Sequence, residues 1–137
     1  TATDYALYKA VKWHASVILS VPCCQHELNQ RIQCETLSGA FQYGLIRERT
    51  AALMTDAMRG QLLEMKGYKT QLLEFIDMEH TPKNILIRAV KSKGLLPKAA
   101  RKQQEDRYRA CRDFFGAELT LEKLFNEMEG ETAYEQD

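Results

Sequence analysis

The sequence predicts an α/β protein: the later half of a doubly wound sheet that closes with an antiparallel pair of strands, followed by two further helices. Three observations predict it. An apolar, β-branched run, "ASVILSV" (15–21), lies between two helical segments. Two further strand-like runs, "YKTQLLEFID" and "NILIRAVK", stand close together around a polar, proline-containing interval. Beyond Gly94 and Pro97 the pattern becomes helical and charged to the end.

Taken in order, "DYALYKAVKW" spaces Tyr5, Tyr8 or Lys9, and Lys12 or Trp13 by three and four around Ala6, Ala10 and Val11, which predicts a short helix over 4–13. Asp4 stands where a carboxylate caps a helix or favours its positive end. In 15–21 the apolar residues do not alternate with polar ones, the pattern of a strand covered on both faces in a parallel sheet, and Pro22 stops it. "GLIRERTAALMTDAMRGQLLEMKG" reads as one long helix with Ile46, Leu53, Ala57 and Leu62 along its apolar stripe, weakened slightly at Gly60 and stopped by Gly67. The strands at 69–77 and 84–91 are joined by an interval short enough for a hairpin. "KSKGLLP" is an irregular hinge. The helices "KAARKQQEDRYRACRDFFG" and "LTLEKLFNEME" follow it, and "GETAYEQD" is expected to fray. The division is a sheet-bearing unit over 1–91 and a helical extension over 92–137.

At 137 residues the chain suits one domain, with 45% hydrophobic residues to build a core. Its N-terminus shows no basic region followed by an apolar core, so no secretory signal is expected. The longest apolar stretch is about half of the roughly 20 residues a spanning helix needs, so no membrane partner is expected. The four cysteines suggest a reducing, cytoplasmic compartment. Net charge is zero but unevenly placed. Residues 82–112 carry ten cations against Glu105 and Asp106, and residues 118–137 carry seven acids against Lys123. Such a division marks a polyanion site or, more simply, two solvated helices that attract each other.

Ligands of open α/β sheets bind outside the carboxyl ends of the strands, which selects three loops. They are Thr1 to Asp4, Pro22 to Glu27 and Glu79 to Asn84. Cys23, Cys24 and His26 admit a pocket wall, a metal site, a nucleophile or plain packing. Adjacent cysteines do not match the usual zinc spacing, and no metal is expected. His80, Lys83 and Asn84 are either substrate contacts or an ordered loop. Arg47 and Arg49 are either phosphate ligands or a solvated helix face, and the basic segment 98–112 an RNA contact or a solvated one.

These residues carry a family resemblance. "TATDYAL", then "VILSVPCCQHEL", then "EFIDMEHTPKNILIRAVK" resembles, over about residues 1–115, the C-terminal half of a class I S-adenosylmethionine-dependent methyltransferase. The branch in question has an ATD turn after its fourth strand and a Pro-Cys-Cys-x-His turn after its fifth; a tRNA ribose methyltransferase family has a similar Cys-Cys-His turn. The resemblance implies a Rossmann-like methyltransferase sheet in which 4–13 follows strand four, 15–21 is strand five, 69–77 strand six, and 84–91 strand seven. Strand seven would lie antiparallel between five and six, as part of an edge hairpin. It implies S-adenosylmethionine as cofactor, with Thr1, Thr3 and Asp4 toward it, and Asp4, Pro22, Cys23, Cys24, His26, His80, Lys83 and Asn84 toward a substrate. The acceptor would be an oxygen or nitrogen, with RNA favoured.

One departure is large. The family's glycine-rich cofactor turn has no counterpart, because Gly39, Gly44, Gly60, Gly67, Gly94, Gly116 and Gly130 are scattered. The expectation is therefore a fragment that lacks most of the cofactor site, is inactive alone, and self-associates through an exposed strand edge. The alternative is a non-catalytic RNA- or protein-binding module on a degenerate version of the same fold.

Overall fold

The computed structural model describes residues 2–22, 27–75 and 84–135. Its elements are α1 (Ala2–Lys12), β1 (Val17–Ser20), α2 (Glu27–Arg31), α3 (Ser38–Phe41), α4 (Gly44–Met65), β2 (Tyr68–Phe75), β3 (Asn84–Lys91), α5 (Lys98–Phe115) and α6 (Thr120–Glu135). This is an α/β arrangement around a three-stranded antiparallel sheet.

The sheet order is β1-β3-β2, so the strand made last lies in the middle. β3 runs antiparallel to both neighbours, from Val17 opposite Val90 to Ser20 opposite Ile87 on one side, and from Tyr68 opposite Lys91 to Phe75 opposite Asn84 on the other. Only β2 of the expected edge pair is therefore an edge strand. α1 and α4 pack on one face of the sheet, α5 packs on α4, and α6 reaches α1 and α4. One apolar core joins these layers: Leu7 and Val11 of α1, Ile18, Ile87 and Ala89 of the sheet, Met58, Leu62 and Leu63 of α4, and Tyr108, Phe115 and Phe125 from the last two helices. The segment beyond residue 92 thus contributes to the same core as the sheet.

Three expectations are corrected. β1 is covered on one face, not two: Ile18 is buried, while Val17 and Leu19 are exposed, Leu19 by 63%. The helix layer packs against the Ile18 side, and the β-branched composition reflects strand propensity rather than two-sided burial. Of the stripe expected on α4, Leu62 is buried and Ala57 half-buried, but Ile46 and Leu53 are not. The buried stripe is Ala51, Thr55, Met58 and Leu62 with Asp56, Arg59 and Leu63 beside it, whereas Ile46 and Leu53 are exposed. Polar side chains that satisfy one another occupy the inward face, which displaces the apolar residues outward. Finally, α6 does not fray at Gly130 but continues to Glu135.

Local signals account for most ends. Gly67 takes φ +92° in the turn from α4 to β2. Gly116 takes φ +66° as the left-handed cap of α5, and there the Phe115 carbonyl accepts from the Gln33 amide at 2.9 Å, docking the helix end on the chain after α2. At the end of α1 the left-handed position is filled by His14, φ 56°, whose amide bonds back to Val11. The Tyr68 hydroxyl donates to the Ala15 carbonyl at 2.7 Å and ties the start of β2 to the turn ahead of β1.

Candidate functional site

The strand ends define the rim. β1 leaves the sheet at Ser20 toward Pro22, β2 ends at Phe75, and β3 begins at Asn84 directly opposite it. α1 leads by a short turn into the start of β1, so its own first turn, with Thr3 and Asp4, lies toward the same end. The fold therefore brings the Thr3–Asp4 turn, half-buried Pro22 and the backbone of Asn84 to one end of the molecule. Thr1, Cys23, Cys24, His26, His80 and Lys83 lie outside the described residues.

Asp4 sits inside the first turn of α1 rather than ahead of it, and it is fully buried. Its carboxylate meets a residue that the sequence reading did not single out. The Arg59 Nε donates to Asp4 Oδ1 at 2.9 Å and Nη2 donates to Oδ2 at 3.2 Å, while Nη1 donates to Asp56 Oδ1 at 3.2 Å. All three side chains are withdrawn from solvent. Burial alone would lower the Arg59 pKa; the hydrogen bond to Asp4 and the charges of Asp4 and Asp56 outweigh it and hold the guanidinium above its ordinary value. Two carboxylates share this one guanidinium. The positive end of α1 also favours the Asp4 carboxylate, because Asp4 lies in that helix's first turn. Arginine suits this place because its planar fork satisfies one carboxylate with two parallel bonds and a second with the remaining nitrogen. The only sequence signal for it was Asp56 three residues before Arg59 on a helix.

The chemistry open to this arrangement is positional. Asp4 offers both oxygens to Arg59, and Thr3 is buried beside it, so the described residues hold α1 in place and present no carboxylate for a ligand.

Arg47 is engaged by backbone, not free for a phosphate. Its Nε donates to the Asn29 carbonyl at 3.2 Å and its Nη2 to that of Ile32 at 3.3 Å, closing the carboxyl end of α2. Arg49 is exposed. In the helical extension, Tyr108 Oη donates to Glu122 Oε2 at 2.8 Å and Arg112 donates to Oε1 of the same carboxylate. Burial and the adjacent Glu122 push the Tyr108 hydroxyl well above the usual tyrosine range. Part of the basic segment is thus paired within the chain: Arg112 serves Glu122, and Arg109 pairs with Glu105 at the surface.

Comparison with known families places a label on the first of these elements. Residues 1–31 match the model of a methyltransferase domain. The match takes in α1, β1 and α2, hence Asp4 and Pro22. No curated protein and no solved structure matches the chain. Among the described residues no helix is long and apolar enough to cross a membrane.

Proposed function

We propose that this chain is part of an S-adenosylmethionine-dependent methyltransferase that transfers a methyl group to an oxygen or nitrogen acceptor, with RNA the favoured acceptor class. The observation that carries the reading is the methyltransferase-domain match over residues 1–31, which covers the Thr3–Asp4 turn and the strand leading to Pro22. The sheet order β1-β3-β2, with β3 antiparallel to both neighbours, supports it, since it is the order the resemblance implies for strands five, seven and six.

In this reading the rim residues Pro22, Cys23, Cys24, His26, His80, Lys83 and Asn84 face the acceptor, and Thr1 and Thr3 stand toward the cofactor. Asp4 acts through Arg59, fixing the turn that precedes them. The glycine-rich cofactor turn belongs to a part of the enzyme other than these 137 residues, and the outer edge of β1, unpaired among the described strands, is where that part's sheet continues. Left alone, the chain self-associates through this edge and the exposed Val17 and Leu19 beside it.

The test is a calorimetric titration with S-adenosylmethionine of this chain and of a chain extended by the coding sequence ahead of Thr1. The extended chain should bind and the shorter one should not. Absence of binding by both would overturn the enzyme reading in favour of a non-catalytic binding module, which the closed Asp4 carboxylate also fits. Tight binding by the 137 residues alone would place the cofactor elsewhere than this rim.

A further inference from the structure

The opposite end of the sheet gathers a second set of features that methyl transfer does not use. β2 starts and β3 stops there, and the Lys91 amide donates to the Ser16 carbonyl at 2.9 Å. The connection over 92–97 leaves β3 at this end, turned by Gly94 at φ +91° and stopped at Pro97. It holds its two leucines out of the core, with Leu95 86% and Leu96 46% exposed. Trp13, three residues ahead of Ser16, is 73% exposed, with the Lys9 ammonium 5.9 Å from its ring centroid.

Lys69 and Arg101 line the same hollow as Leu95 and Leu96, and Lys91, Lys93, Lys98 and Lys102 lie in the connection or in the elements it joins; all six are exposed. Among the described residues none of the six has an ion-pair partner. Of the acids nearby, Glu105 pairs with Arg109, and Asp106 stands exposed one turn beyond Lys102. Glu129 pairs with Lys66, Glu131 with Lys12, and Glu64 is half-buried. The first turn of α5 contains no acidic residue to balance Lys98 and Arg101. The chain as a whole is neutral, so this concentration of unpaired cations is local.

We propose that this end docks on an anionic lipid surface, with Leu95, Leu96 and Trp13 entering the interfacial layer and the six cations facing headgroup phosphates. Stable attachment to a bilayer surface takes two cooperating signals, such as apolar insertion and a polybasic patch, and both are present on one end of this molecule. Tryptophan and the aliphatic stems of lysine suit the boundary between headgroups and acyl chains. A nucleic acid would use the cations but not the leucines, because single-stranded bases stack on aromatic faces, of which this end offers only Trp13. Contact of this kind needs no spanning segment, and it leaves the Pro22 rim turned away from the membrane.

Trp13 is the chain's only tryptophan, so it reports on its own surroundings. The experiment is co-sedimentation and tryptophan emission of this chain with phosphatidylcholine vesicles and with vesicles of phosphatidylcholine and phosphatidylserine at roughly 2:1. Phosphatidylserine should raise the bound fraction at least about tenfold and shift the Trp13 emission to the blue; high salt should reverse much of the binding. The double variant Leu95→Asp/Leu96→Asp should lose the emission shift and about tenfold in binding, with unchanged far-ultraviolet circular dichroism, and Lys93→Glu/Lys102→Glu should lose binding while staying folded. Equal binding to both vesicles, no binding to either, or full binding by the leucine variant would overturn the proposal. So would a single-stranded RNA oligonucleotide that binds the wild type and the leucine variant alike and competes with the vesicles, which would mark a nucleic-acid site.

Discussion

Arg59 grips Asp4 through two nitrogens, Nε on one carboxylate oxygen at 2.9 Å and Nη2 on the other at 3.2 Å, and so fastens α4 to the first turn of α1 across fifty-five residues of chain. Replacing it by methionine keeps the volume but leaves Asp4 and Asp56 buried without their shared cation. Arg59→Met should lower the stability by roughly 3–5 kcal/mol, read from the midpoint of urea unfolding. Arg59→Lys keeps a charge but loses the two-pronged geometry and should fall between. A loss under about 1 kcal/mol for Arg59→Met would mean that the network carries little stability.

That pair shows what the sequence leaves hidden. The strands, the long helix and the two terminal helices are legible because their periodicities and their glycine and proline boundaries agree. The long helix misleads at its inward face. Ile46 and Leu53 read as buried because they are apolar, yet they are exposed, while Arg59, which no pattern singles out, is buried. An arginine enters a core only when its partners are also there, and Asp4 lies too far along the chain for any local pattern to announce it. The rim was legible only as loops. Pro22 and Asn84 stand where the strand ends place them, while the Cys-Cys-His turn lies outside the described residues.

Tyr108 and Arg112 divide the oxygens of Glu122 between them. Tyr108→Phe removes one bond to a buried carboxylate and adds no new polar group, so it should cost about 1–3 kcal/mol, measured by chemical unfolding at neutral pH. In spectrophotometric titration Tyr108 should stay protonated through the usual tyrosine range, as long as the chain is folded.

Two glycines should respond to alanine with opposite signs. At Gly60, within α4, a methyl would sit 3.4 Å from the Thr70 methyl, an ordinary contact, so helix propensity decides and Gly60→Ala should gain roughly 0.5–1 kcal/mol. At Gly116 the left-handed backbone disfavours a side chain, and the added carbon would meet the Gln33 carbonyl at 3.2 Å. Gly116→Ala should therefore cost about 1–2 kcal/mol. Thermal melts of both variants check the pair.

Glu64 carries a carboxyl pushed up by burial. The folded state then holds this proton more tightly than the unfolded one. Its contribution is fully present below the ordinary glutamate pKa and is lost as pH rises through the raised value. Glu64→Gln should be more stable than the wild type at neutral pH and should flatten this part of the pH dependence, as urea unfolding from pH 4 to pH 8 would show.

The middle position of β3 has a consequence for how the chain acquires its shape during synthesis. β1 and β2 emerge first, yet among the described strands neither has a neighbour until residues 84–91 follow. Both ladders of the sheet need residues 84–91, so neither is formed before β3 is in place. A chain that ends before Asn84 would leave β1 and β2 without the strand that pairs with both.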